Sequence, residues 1–109
     1  MWNKVLNVAI VGSGSISDRH IAGIQEQSTC RLYALCDNAT DGRLERRTAK
    51  YGPDIAVKDY RELLNDPKVD MVIVATSDYS HCEITCAFLR AGKPVLMEKP
   101  MALNTAECE

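Results

Sequence analysis

A short apolar run that ends at a glycine-rich turn is the feature that most constrains the fold of this chain. Residues 5–11 are mostly aliphatic, and Gly12, Ser13 and Gly14 follow them directly. An apolar run of this length is typical of a strand buried on both faces of a parallel sheet. In the next segment, residues 15–27, apolar residues recur at helical spacing. The sequence therefore opens with a strand, a tight turn and a helix.

Strand and helix patterns alternate along the rest of the chain. Further strands are predicted at residues 31–36, 55–57, 69–75 and 94–97, and helices at 40–51, 60–65, 80–91 and, in its first turns, 103–109. This alternation implies βαβ units, a parallel sheet and right-handed crossovers. We therefore predict an α/β fold, a Rossmann-like doubly wound parallel sheet with strand order 3-2-1-4-5 that stops before a sixth strand.

Composition narrows the classes of protein that are compatible with this pattern. The 109 residues, 46% of them hydrophobic and 26% charged, fit one globular domain spanning residues 1–109. A net charge of −2 and a pI near 5.7 argue against non-specific nucleic-acid binding, which needs a basic patch. No apolar run approaches the ~20 residues of a membrane span, and no signal-peptide pattern is present. We therefore expect no nucleic-acid or membrane partner and a cytoplasmic location.

The five cysteines are an odd number without a secretion signal, a pattern that indicates free thiols in a reducing compartment. His81, Cys82 and Cys86 are close in sequence, but their spacing matches no common zinc pattern. We predict no metal site and interpret the cysteines as small apolar residues that fill a helix face.

The glycine turn has the composition of a phosphate-binding loop. Gly12 permits a tight turn, and Gly14 lets a pyrophosphate approach the backbone. The start of the following helix offers unpaired N–H groups to that anion. The predicted pyrophosphate site consists of Gly12, Ser13, Gly14, Ser15 and Ile16. Ser17 replaces the third glycine of the usual pattern, and a plain turn without a ligand is the competing interpretation.

Asp37 is the expected acidic partner of that turn. It ends the second predicted strand, 20 residues after Ser17. A carboxylate at this place accepts hydrogen bonds from the adenosine ribose hydroxyls and repels a 2′-phosphate. The predicted cofactor is therefore NAD, with NADP left possible because Arg43 on the next helix could reach a phosphate.

A second set of motifs near the end of the chain gives these features a family context. The segment Ala91 to Pro100 reads Ala-Gly-Lys-Pro-Val-Leu-Met-Glu-Lys-Pro. With it, the chain resembles the N-terminal domain of the Gfo/Idh/MocA oxidoreductases, which include glucose–fructose oxidoreductase and inositol dehydrogenase. The resemblance also includes residues 8–16, His20, Asp37, residues 51–52, residues 70–76 and His81.

The resemblance implies hydride transfer between a nicotinamide cofactor and a sugar, polyol or related hydroxyl substrate. It implies that Lys99 is catalytic and positions substrate and cofactor. It also implies that Glu98 belongs to the cofactor site and pairs with the cofactor or with Lys99. A solvated surface lysine is the other interpretation of Lys99. Thr76 and Ser77 would contact the cofactor, although the family's proline is missing from this turn. His81 would lie near the cofactor edge, or it would cap a helix start.

The family has a second, C-terminal domain that binds substrate, and none of its motifs occurs in these residues. We therefore expect this chain to bind a dinucleotide, and to bind a sugar or polyol substrate only together with that second domain. A homo-oligomer is also possible. Whether the 109 residues act as an enzyme by themselves stays open. The alternatives are a non-catalytic nucleotide-binding module and a Rossmann-like domain for another adenosine ligand.

Overall fold

The structure, a computed structural model, describes residues 5–12, 15–26, 28–75 and 80–97. Strands and helices alternate through these residues as predicted. The elements are β1 (Leu6–Val11), α1 (Ser15–Gln25), β2 (Cys30–Cys36), α2 (Arg43–Tyr51), β3 (Ile55–Val57), α3 (Arg61–Leu64), β4 (Met71–Val74), α4 (Ser80–Arg90) and β5 (Val95–Met97). The helix predicted over residues 103–109 lies outside the described residues.

The five strands form one parallel sheet with the order β3-β2-β1-β4-β5, which confirms the predicted topology. The central strand β1 pairs with β2 on one side and β4 on the other. The order therefore reverses at β1, which makes its carboxyl end a topological switch point. Ligands of open α/β sheets bind in the crevice at such a point.

Both faces of the sheet are covered, because neighbouring residues of β1 enter different cores. Ala9 and Val11 join a cluster that includes Leu63 of α3 and Phe88 of α4. Val8 and Ile10 join a second cluster on the opposite face, with Ile21 of α1 and Leu44 of α2. All four β1 residues are at most 3% exposed. Burial on both faces is the reason that β1 is apolar at successive positions.

Two glycines end helices as their sequence positions indicate. Gly52 after α2 and Gly92 after α4 adopt φ values of 65° and 83°, a left-handed conformation that is costly for residues with a Cβ. The predicted start of α2 at residue 40 was wrong, because Gly42 adopts φ 87° and the helix begins at Arg43.

Two further boundaries depend on local interactions. The helix predicted at residues 60–65 is the single turn α3, and the Asp59 carboxylate accepts a 2.9 Å hydrogen bond from the backbone N–H of Arg61. The strand β4 is shorter at both ends than the predicted 69–75.

In the part of the chain that the structure describes, Cys36 and Cys86 are buried thiols and Cys30 is a half-buried thiol. Within the described ranges, no three His, Cys, Asp or Glu side chains lie close enough together to hold a metal ion. None of the described helices is long and apolar enough to cross a membrane. Leu89 and Leu96, at the β5 side of the sheet, keep about half of their surface exposed.

Candidate functional site

A cleft of about 330 Å³ lies at the carboxyl ends of β1, β2 and β3. Its size is at the lower end of the range for small-molecule sites. The residues that line it are Val11, Gly12, Cys36, Asp37, Asn38, Lys58, Asp59, Tyr60, Arg61, Glu83 and Ile84. The cleft therefore combines apolar strand ends with carboxylates and cations from the loops that follow them.

Backbone hydrogen bonds continue past the strand ends and fix the rim of this cleft. The N–H of Gly12 donates to the carbonyl of Cys36 at 2.7 Å, and the N–H of Asp37 donates to the carbonyl of Val57 at 3.1 Å. Gly12 is buried and has φ 105°, a conformation in which a Cβ would be strained. Glycine is thus required at the position where the chain leaves β1.

The Asp37 side chain is half-buried at the end of β2 and organises the loop that follows. Its Oδ1 atom accepts a 2.8 Å hydrogen bond from the N–H of Ala39. Lys58 directly follows β3, and its ammonium donates a 3.0 Å hydrogen bond to the carbonyl of Ala39. These two bonds keep the loop after β2 against the cleft, with the carboxylate of Asp37 on its rim.

Tyr60 lines the cleft beyond the end of β3. Its hydroxyl donates to Oε1 of Glu83 on α4 at 3.2 Å, and its ring lies 5.9 Å from the Phe88 ring. Burial raises the pKa of Tyr60, and the hydrogen bond to Glu83 raises it further. The Arg61 guanidinium lies 5.9 Å from the Tyr60 ring centroid. The result is an aromatic surface flanked by one carboxylate and one cation.

The lining residues contributed by the β3–α3 turn and α4 were not predicted from the sequence. The turn could have been identified, because loops at the carboxyl ends of parallel strands border the crevice. Glu83 could not have been identified, since it reaches the cleft from the first turn of α4 through its contact with Tyr60.

Cys36 is the thiol of this cleft, and we expect it to be unreactive. Its side chain is 2% exposed, and burial together with the charge of Asp37 raises its pKa to about 12. The reactive thiolate is therefore scarce at pH 8. Iodoacetamide at pH 8, followed by mass spectrometry, should leave Cys36 unmodified in the folded chain and modify it in urea. The half-buried Cys30 is the internal comparison, and faster labelling of Cys36 than of Cys30 would contradict the expectation.

The structure brings two of the predicted site residues together, Gly12 and Asp37, which both line the cleft. Ser17, at the third glycine position, is fully buried, as close packing of α1 on the sheet requires. Ser15 and Ile16 open α1 and His81 lies in the first turn of α4. Ser13, Gly14, Thr76, Ser77, Glu98 and Lys99 lie outside the described residues. Their roles stay predictions.

Comparisons with known proteins agree with this geometry. The model of the GFO_IDH_MocA family, described as an oxidoreductase family with an NAD-binding Rossmann fold, matches residues 6–109. A myo-inositol 2-dehydrogenase of Thermotoga maritima is 36% identical over 95% of this chain, and an inositol 2-dehydrogenase of Salmonella typhimurium is 34% identical over 95%. The chain spans about 31% of the length of each of these relatives.

Solved structures extend the similarity to three dimensions. A probable dehydrogenase from Thermotoga maritima superposes with a TM-score of 0.85 at 36% identity, over 94% of this chain and 30% of that one. A 3-ketoreductase from Actinomadura kijaniata, in complex with TDP-benzene and NADP, superposes with a TM-score of 0.83 at 28% identity. That match covers 95% of this chain and 33% of the other.

Proposed function

This chain belongs to the Gfo/Idh/MocA family of oxidoreductases with an NAD-binding Rossmann fold, and from that membership we propose that its cleft holds the adenosine half of NAD. The observation that carries the proposal is the position of Asp37. Its carboxylate lies on the same cleft rim as Gly12, the first residue of the glycine turn. This arrangement suits a ribose whose hydroxyls donate to the carboxylate while its phosphates approach the turn.

The pyrophosphate has a complementary place in this proposal. Gly12 turns the chain out of β1, and α1 begins three residues later at Ser15. The first N–H groups of a helix lack intrahelical partners and attract anions. Ser13, Gly14, Ser15 and Ile16 would therefore supply backbone donors to the phosphates.

The bound NAD would supply the hydride chemistry, and the protein would supply orientation and charge. The strands β4 and β5 end at Val74 and Met97, at the same edge of the sheet as β1. We propose that Thr76, Ser77 and His81 contact the cofactor beyond the end of β4. We propose further that Lys99, with Glu98 beside it, hydrogen-bonds the reacting hydroxyl.

The activity of the whole protein is proposed at the level of a chemical class. The similar proteins named above include two inositol dehydrogenases and a 3-ketoreductase, names that refer to reactions at hydroxyl and keto groups. We propose that residues 1–109 form the dinucleotide-binding domain of a dehydrogenase that acts on a sugar, polyol or related alcohol. A separate substrate-binding domain would complete the active site.

The cofactor assignment predicts the effect of removing the Asp37 carboxylate. Asp37→Ala should weaken NADH binding by roughly 1–3 kcal/mol, the size of a lost hydrogen bond to a charged acceptor. It should also narrow the difference between NADH and NADPH, because a repulsive charge is gone. Fluorescence titration of the purified chain with each reduced dinucleotide measures both effects.

Two further variants control this experiment. Asp37→Asn keeps an oxygen acceptor for the N–H of Ala39, so it separates loss of charge from loss of loop structure. Asp54→Ala removes an exposed carboxylate that pairs with Arg31 at the opposite end of the sheet, and it should leave both affinities unchanged. Wild-type NADH affinity in Asp37→Ala would contradict the assignment of Asp37.

A further inference from the structure

We propose that Asp41 sets the cofactor preference of this domain by occupying the guanidinium of Arg43, which would otherwise be available to an adenosine 2′-phosphate. Asp41 is in this view a positioning residue that acts through Arg43. The inference rests on the proposed function, because it concerns the ribose end of the proposed dinucleotide site.

Asp41 and Arg43 form a bidentate ion pair. The Nε atom of Arg43 lies 3.1 Å from both carboxylate oxygens of Asp41, and Nη2 donates to Oδ2 at 2.8 Å. The backbone N–H of Arg43 also donates to Oδ1 at 3.1 Å. Gly42 between them adopts φ 87°, which folds the two side chains together at the start of α2. Asp41 thus occupies the Nε–Nη2 edge of the guanidinium, a pair of donors that can bind a carboxylate or a phosphate bidentately.

The pair follows, in the same loop, the residue that we assign to the ribose. Asp37 and Asp41 are four residues apart in one loop, which the bond from Ala39 N–H to Asp37 folds back on the rim. The hydrogen bond to Asp41 raises the pKa of Arg43, and the charge of Asp37 raises it further. The guanidinium therefore lies within electrostatic reach of the carboxylate that would bind the 2′-hydroxyl.

Two other cations near this loop also have hydrogen-bond or ion-pair partners. Lys58 pairs with Glu45 at 3.2 Å, and Arg46 donates to the backbone carbonyl of Asp41 at 3.1 Å. An arginine after β2 is the usual means by which a Rossmann domain accommodates a 2′-phosphate. This chain has such an arginine, but an adjacent carboxylate already binds it.

The arrangement gives Asp37 and Asp41 different roles in rejecting NADP. Asp37 would repel the 2′-phosphate directly, whereas Asp41 would withhold the cation that could bind it. Substituting Asp37 alone leaves Arg43 bound to Asp41. Because both carboxylates act on one phosphate, their substitutions should be non-additive.

The test is the ratio of NADPH to NADH affinity in Asp41→Asn. Asparagine keeps an oxygen for the N–H of Arg43, so the start of α2 is retained while the charge is lost. Titration of the 109-residue chain by dinucleotide fluorescence should give NADPH binding about tenfold tighter, with NADH affinity unchanged within about twofold. In Asp37→Ser/Asp41→Asn, the ratio should shift by more than the product of the two single shifts.

Two further variants distinguish this mechanism from a general change of charge. Arg43→Gln in the Asp41→Asn background should remove the gain in NADPH affinity. Asp54→Asn makes the same change of charge and releases Arg31, which lies at the other end of β2. That variant should leave the ratio at its wild-type value.

The outcomes separate this inference from the proposed function. The inference alone is overturned if the wild type binds NADH and Asp41→Asn leaves the ratio of NADPH to NADH affinity unchanged. It is also overturned if Asp54→Asn shifts this ratio as much as Asp41→Asn does. A gain that persists after Arg43→Gln also overturns it. A wild-type chain that binds neither dinucleotide overturns the proposed function and this inference with it.

Discussion

Replacing Gly14 with valine is expected to abolish dinucleotide binding while the domain stays folded. The side chain would lie where the pyrophosphate has to approach the backbone of the turn. Loss of two hydrogen bonds to a charged phosphate, at roughly 1.5–3 kcal/mol each, corresponds to a decrease in affinity of about 100-fold or more. Titration with NADH measures the loss, and circular dichroism with thermal unfolding verifies the fold.

Gly23 provides the matched control for this prediction. It lies in the exposed part of α1, and a Cβ added there meets no atom within 4 Å. Gly23→Val should therefore bind NADH as the wild type does and should not lower stability, because glycine is a poor helix former. A folded Gly14→Val chain with wild-type affinity would show that the ligand binds elsewhere.

The second large effect concerns turnover. The 109 residues are expected to bind a dinucleotide and to show no steady-state oxidation of sugars or polyols. The chain spans about 31% of its dehydrogenase relatives, and we propose that the substrate is oriented by a separate domain. Orientation accounts for roughly 7–11 kcal/mol of a barrier, so its loss slows the reaction at least about 10⁵-fold. Absorbance of NADH at saturating NAD follows the reaction.

The full-length myo-inositol 2-dehydrogenase of Thermotoga maritima, assayed in parallel, serves as the positive control for the assay. Lys99→Ala is the companion variant of this chain, because Lys99 is the residue that we propose acts on the reacting hydroxyl. Ordinary turnover by the 109 residues that disappears in Lys99→Ala would show that they form a complete enzyme. That result would contradict the proposed need for a second domain.

The sequence by itself determined the architecture of this domain. Local patterns identify strands and helices, and an alternation of the two leaves few topologies once crossovers must be right-handed. Right-handed crossovers allow more than one doubly wound order, and the glycine turn after the first strand favours the dinucleotide-binding order β3-β2-β1-β4-β5. The structure confirms that order. The positions of Gly12 and Asp37 at the carboxyl ends of β1 and β2 could also be predicted, because each residue directly follows a strand.

Only the tertiary structure decided which side chains complete the cleft. Tyr60 meets Glu83 across 23 residues of sequence, and Lys58 reaches back 19 residues to the carbonyl of Ala39. Neither contact can be predicted from a periodic pattern in the sequence, because each depends on how separate parts of the chain pack together.

The ion pair between Asp41 and Arg43 could not be predicted from the sequence either, although the two residues are only two positions apart. From the sequence, Arg43 was a cation that could reach a phosphate. The left-handed turn at Gly42 instead brings its guanidinium onto the Asp41 carboxylate and moves the start of α2 to Arg43. Strand order depends on residue patterns that extend over many positions. The availability of one charged side chain depends on a few dihedral angles, and those angles become known only when the chain is folded.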